Sequence, residues 1–283
     1  MIQLLVVAAM ISEVSSKSFF ASSPSRLTAI APQSIFKLQR QEPTSYSLLL
    51  TLRGGASSEE AQLVDGAYSW LTNLGAPSAL VAGAVVATLY ESMGEGNLDI
   101  EKADSRIVRV AKKVTRLLLL SAFIQQIVCI FVSTVGGTHL LSIPPMITSA
   151  TTPLGYLKEH FEFEYLTTRI SFTQGLITWL AAIALEHSIP KPHENEARRK
   201  MDILISSSLL TLILAMLSFY NGHLSFYKNI FDMYQQYARV AWIRYVWRWP
   251  PRALTVLAIP PFAVSMLYFF KVFFDFKDED KAK

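Results

Sequence analysis

Apolar residues in this chain collect in five long blocks, and they do not alternate with polar ones. A soluble helix carries one apolar stripe and a half-buried strand alternates. Blocks of roughly 20 apolar residues instead match the thickness of a bilayer core at 1.5 Å rise per residue. Hydrophobic residues make up 51% of the chain and charged residues 17%, against about 25% charged in soluble domains. The expected fold is therefore all-α: a polytopic integral membrane helical bundle of four to five transmembrane helices with one amphipathic interfacial segment.

The expected spans run over about 75–91, 116–135, 168–187, 202–220 and 254–274. The first is short and starts at Pro77-Ser78. Its Ala79, Gly83 and Ala87 recur every four residues and form a small-residue stripe suited to close helix packing. The second carries Gln125 and Gln126 near its centre, with Gly136-Gly137 read as its terminator. The third holds Thr173 and Gln174, and the fourth ends at Asn221-Gly222. Pro260-Pro261 should kink the fifth or break it into two half-helices.

Between the fourth and fifth blocks lies a long aromatic stretch. Its end mixes Trp242, Arg244, Trp247, Arg248 and Trp249, a combination suited to the headgroup level. Arginines among aromatics also occur in nucleic-acid grooves. Beside a membrane helix the lipid reading is preferred, and no nucleic-acid partner is expected.

Basic residues mark the side of a membrane that is not translocated. Lys102, Arg106, Arg109, Lys112 and Lys113 follow the first span, only Lys158 follows the second, and Lys191, Arg198, Arg199 and Lys200 follow the third. This alternation places the start of the first span on the translocated side. Arg239, Arg244, Arg248 and Arg252 break it after the fourth.

The N-terminal region reads as a two-part leader. Ile2–Ile11 is too short to span a bilayer, and small residues follow at Val14-Ser15-Ser16, so 1–16 reads as a signal peptide. Residues 17–58 are basic and Ser-rich with Glu42 as their one acid before Ser58, the composition of an organelle transit segment. That pairing resembles the leaders of algae with secondary plastids, and Phe19-Phe20 fits the aromatic residue such leaders carry. Residues 59–283 then form the helical membrane domain. A plastid membrane is the expected location, with an ER or secretory-pathway membrane as the alternative.

Chemistry is sparse. No Gly-x-Ser-x-Gly or His-Glu-x-x-His motif is present, and Leu52-Arg53-Gly54-Gly55 lacks the setting of a phosphate loop. His139, His160, His187, His193 and His223 are scattered, and Cys129 is the only cysteine, so neither a metal site nor a disulfide is expected. Neither catalysis nor a cofactor is expected. Glu91, Glu186, Gln125 and Gln126 are the residues a transport path would use, because polar groups are costly in lipid. The simpler reading makes the two glutamines helix-to-helix bridges. Arg169 is expected to form a local ion pair with Glu159, Glu162 or Glu164.

Ser78-Ala79-Leu80-Val81-Ala82-Gly83, followed by Glu91, resembles the pore helix of Orai-type calcium channels. The resemblance implies a selectivity carboxylate at Glu91 and a packing or gating role for Gly83. Glu59, Glu60 and Asp65 stand where that family has basic residues, and the charge bias puts Glu91 at the opposite mouth. Membership in that family is not assigned.

Two functions follow as expectations. The first is a non-catalytic subunit or assembly protein that binds other membrane proteins within the bilayer. The second is a channel or transporter for a cation or small solute.

Overall fold

The computed structural model describes residues 58–94, 98, 104–143, 146, 148–190, 195–244, 260–261, 263–268 and 271. Among them the regular structure is helical, and no strand occurs. Six helices are complete enough to name: α1 (Ser58–Gly94), α2 (Arg106–Ser142), α3 (Pro153–His160), α4 (Glu162–Ser188), α5 (Glu196–Gly222) and α6 (Ile230–Trp242). The chain divides into two compact units, 1–237 and 238–283. The first holds α1 to α5 and the start of α6.

Three helices are long and apolar enough to cross a membrane, over Glu59–Ser92, Arg106–Ser142 and Glu196–Gly222. Helix α4 occupies the expected third span but falls outside this group. Its inward positions are hydroxylic, with Thr167, Thr168, Ser171 and Thr178 all buried. It packs against α1, α2, α3 and α5, so its neighbours supply much of the apolar exterior. The expected fifth span, 254–274, lies largely outside the described residues, as do the leader segments 1–16 and 17–57.

The helices overrun the predicted spans because apolar length measures only the part that sits in lipid. The first two each contain 37 residues, about 55 Å at 1.5 Å per residue, against a bilayer core of about 30 Å. Pro77 lies inside α1 and not at its start. Gly136 and Gly137 lie inside α2 and do not terminate it. Both glycines are buried, and a Cβ at position 137 would meet the Tyr68 ring at 3.2 Å. They let α1 approach, which outweighs their low helix propensity. Arg106, Arg109, Lys112 and Lys113, expected in a loop, form the first turns of α2.

Local caps explain several helix ends. The Ser105 hydroxyl accepts from the Val108 N–H at 3.3 Å and starts α2. The Thr152 hydroxyl accepts from the Gly155 N–H at 3.1 Å, with Pro153 in the first turn of α3. Asn229 caps α6, and Asp232 in its first turn reaches back to the residue before that cap. The Asp232 N–H donates to Asn229 Oδ1 at 2.8 Å, and the Lys228 N–H donates to Asp232 Oδ2 at 3.1 Å. Asn221-Gly222 closes α5, as expected from the sequence.

Two apolar clusters sit toward opposite ends of the bundle. One joins Leu71, Leu140, Tyr156, Leu157, Tyr165 and Met233, around the start of α1, the end of α2 and the start of α4. The other joins Val85, Leu119, Ala122 and Ala182 at the far ends of the same helices. Between them lies a polar layer.

Candidate functional site

The central layer is built by α1, α2 and α4. The Ser78 hydroxyl on α1 donates to the Cys129 sulfur on α2 at 2.9 Å. The Cys129 thiol donates in turn to the Thr168 carbonyl of α4 at 3.4 Å. Gln126 donates its amide to the Phe172 carbonyl at 3.3 Å, and Gln125 donates to the Ser121 hydroxyl one turn back at 3.2 Å. Both glutamines are buried, and among the described residues their Oε1 atoms accept no hydrogen bond. Gly175 makes room for them: a Cβ there would stand 2.5 Å from Gln126 Nε2. Ser78, Cys129 and Gln126 thus bridge helices, whereas Gln125, expected to bridge as well, bonds within α2.

The other expected path residues lie elsewhere. The Glu186 carboxylate accepts from the Ser92 hydroxyl at 3.1 and 3.0 Å, joining the ends of α4 and α1. Glu91, one residue before Ser92, is exposed. His187 Nδ1 lies 2.9 Å from Asp202 Oδ1, and this pair ties α4 to α5. The four candidates therefore occupy three places: the middle of the bundle, its α1–α4 end, and the outside.

The stripe of Ala79, Gly83 and Ala87 faces outward. All three are exposed, and a Cβ on Gly83 would meet nothing within 4 Å. The face of α1 that packs within the chain is instead Leu71, Ser78, Ala82 and Val85. Of the expected interfacial residues, Trp242 and Arg244 are exposed, and Trp247, Arg248 and Trp249 lie outside the described residues.

Arg169 corrects the expected ion pair. Its Nε donates to the Tyr220 hydroxyl of α5 at 2.9 Å, and Nη1 donates to the Tyr165 hydroxyl. The guanidinium also lies over both rings, 5.2 and 5.7 Å from their centroids. Two of the three glutamates have other partners. Glu159 accepts from Thr148 at 2.8 Å, and Glu162 accepts from Gln236 at 3.0 Å. Tyr165 stands four residues before Arg169, so one helix turn brings them together. Tyr220 is 51 residues away, and no local spacing announces it.

Arg169 borders a cleft of about 400 Å³ between α1, α4 and α5. A smaller cavity of about 250 Å³ lies between α1 and α2 beside Tyr68, Gly75, Ser133 and Thr138. Neither is lined by Glu91, Glu186, Gln125 or Gln126.

Beside α4, burial pushes the Tyr227 phenol well above the ordinary tyrosine range, and the Glu162 carboxylate adds to the effect. Burial raises Tyr234 in the same direction. Among the described residues no group of three or more His, Cys, Asp or Glu side chains is arranged to hold a metal ion.

No protein-family model matches this chain. No curated protein matches it, and no solved structure does.

Proposed function

We propose that the chain is a non-catalytic subunit or assembly protein of an organelle membrane, a plastid membrane in the first instance. It would bind other membrane proteins through its outer helical faces. Four spans result if α4 crosses beside α1, α2 and α5, and a fifth if 254–274 also crosses.

One observation carries this reading. Interior polar side chains bridge helices at Ser78–Cys129–Thr168, Gln126–Phe172 and Ser92–Glu186, while the apolar surface faces outward. Helix α5 has a mean hydropathy of 2.1 over its most apolar window, and only 6% of that window is buried. Leu204, Leu210, Leu214 and Phe219 on it are exposed. Lipid can cover such a face, and so can a neighbouring helix. The basic, Ser-rich composition of 17–58 supports the organelle part of the proposal.

The alternative is a cation or solute pathway through Glu91, Glu186, Gln125 and Gln126. It draws on the two glutamine oxygens, which have no hydrogen-bond partner among the described residues. The separation of these four groups into three places weighs against it.

The test is a C-terminal fluorescent fusion of the full chain in an alga with a secondary plastid, beside a version lacking residues 17–56. Plastid labelling by the full chain alone, with membrane proteins recovered alongside it on purification, supports the assembly reading. Labelling of the ER by both versions removes the plastid assignment. Solute flux that falls in Glu91→Gln and Glu186→Gln vesicles would favour the pathway.

A further inference from the structure

The cleft beside Arg169 is amphipathic along its length. At one end stand Arg169, Tyr220 and Ser225, near the aromatic cluster that joins α3 to the start of α6. About 12 Å further along α4, by helix rise, its wall is Leu176, Ile177 and Met216. Its volume of about 400 Å³ falls within the size range of ligand sites, roughly 300–1,000 Å³.

Charge separates this cleft from a packing defect. Arg169 is half-buried and forms no ion pair among the described residues. Its described partners are the neutral hydroxyls and ring faces of Tyr165 and Tyr220. A guanidinium has five N–H donors, and two are used here. Among the described residues the others have no acceptor, and Nη2 is not fully buried. A half-buried cation at the end of an apolar groove calls for an anion, and guanidinium favours planar bidentate oxyanions. Thr173, one turn on, adds a hydroxyl.

We propose that this cleft binds one anionic glycerolipid of the surrounding bilayer. The phosphate or sulfonate headgroup would sit on Arg169, and an acyl chain would lie along α4 between α1 and α5. Basic pockets between membrane helices hold acidic headgroups in this way. A zwitterionic lipid fits less well, because its own ammonium neutralises the phosphate and among the described residues no carboxylate pairs with Arg169 to receive that ammonium.

The experiment uses the full chain in dodecyl maltoside with equal phosphatidylglycerol and phosphatidylcholine, read by native mass spectrometry. The expected result is one retained phosphatidylglycerol per chain, at roughly tenfold preference. Arg169→Gln should erase the preference. Thr173→Trp should fill the groove and expel lipid while leaving the cation in place, and it carries the test if the arginine variant does not fold. Equal retention of both lipids by the unmodified chain overturns the proposal, as does full retention of phosphatidylglycerol by the tryptophan variant. Retention of oleate in place of phosphatidylglycerol also overturns it, in favour of a free carboxylate.

Discussion

The Ser78 hydroxyl donates to the Cys129 sulfur at 2.9 Å across the contact between α1 and α2. The same sulfur lies 3.4 Å from the Thr168 carbonyl of α4. One small side chain thus touches three helices, and anything larger must push them apart. Cys129→Leu is expected to destabilise the bundle by about 1–3 kcal/mol through overpacking. Ser78→Ala removes one bond of the kind that averages about 0.6 kcal/mol in membrane proteins. Thermal unfolding in detergent compares the two. Cys129 is buried, so a water-soluble maleimide should label it only after denaturation.

Glycines on the inside and outside of the bundle should behave in opposite ways. A Cβ at Gly75 would stand 2.5 Å from Ser133 Oγ, and one at Gly175 equally close to Gln126 Nε2. Gly75→Ala and Gly175→Ala should each cost about 1–3 kcal/mol. Gly83 has open space beside it, so Gly83→Ala should be neutral or stabilising by up to about 1 kcal/mol. Gly83→Trp should leave the purified chain as stable as before. If the outward stripe is an assembly surface, that variant loses its co-purifying partners. If partners are retained, the contact lies elsewhere, with the face of α5 next to be tested.

These two cases also show what a sequence of this kind reveals. The apolar blocks announced α1, α2 and α5, because exclusion of charge over a bilayer's thickness is a property of the segment alone. The facing of a helix is a property of its neighbours. Ala79, Gly83 and Ala87 recur every four residues, the buried Ser78, Ala82 and Val85 at steps of four and three, both compatible with one helix face, and only the positions of α2 and α4 decide between the two sets. Gly136 and Gly137 look like a stop signal until Tyr68 and Leu71 are seen against them. The bridging role of Gln126 was legible, since a buried amide must find a partner. The Arg169–Tyr220 contact was not, because it joins residues 51 positions apart.

The His187–Asp202 contact, 2.9 Å long, holds the end of α4 to the start of α5. Asp202 is buried, while His187 is partly exposed. Asp202→Ala should destabilise the α4–α5 contact by about 1–3 kcal/mol, with solvent at His187 holding the effect toward the lower end. A double-mutant cycle with His187→Ala isolates the pair. A coupling near zero would show that Asp202 acts through other contacts.

Tyr227 makes an unusual prediction, because losing its hydroxyl should cost little. The phenol oxygen is buried and has no hydrogen-bond partner among the described residues. Removing an unsatisfied buried hydroxyl restores no lost bond, so Tyr227→Phe should be neutral or slightly stabilising at neutral pH. Burial raises this phenol above its ordinary value, and Tyr234 likewise. The sign follows from which state loses its proton first. Below the unfolded value of about 10 both states are protonated, and stability does not depend on these groups. Above it the unfolded chain ionises while the folded chain still holds its protons, so stability falls as pH rises toward the folded value. Thermal unfolding in detergent from about pH 9 to about pH 11 should show that fall. It should be shallower in Tyr227→Phe, and shallower again with Tyr234→Phe added. Equal slopes in all three proteins would mean that neither phenol is sealed from water as the packing of α4 against α6 requires.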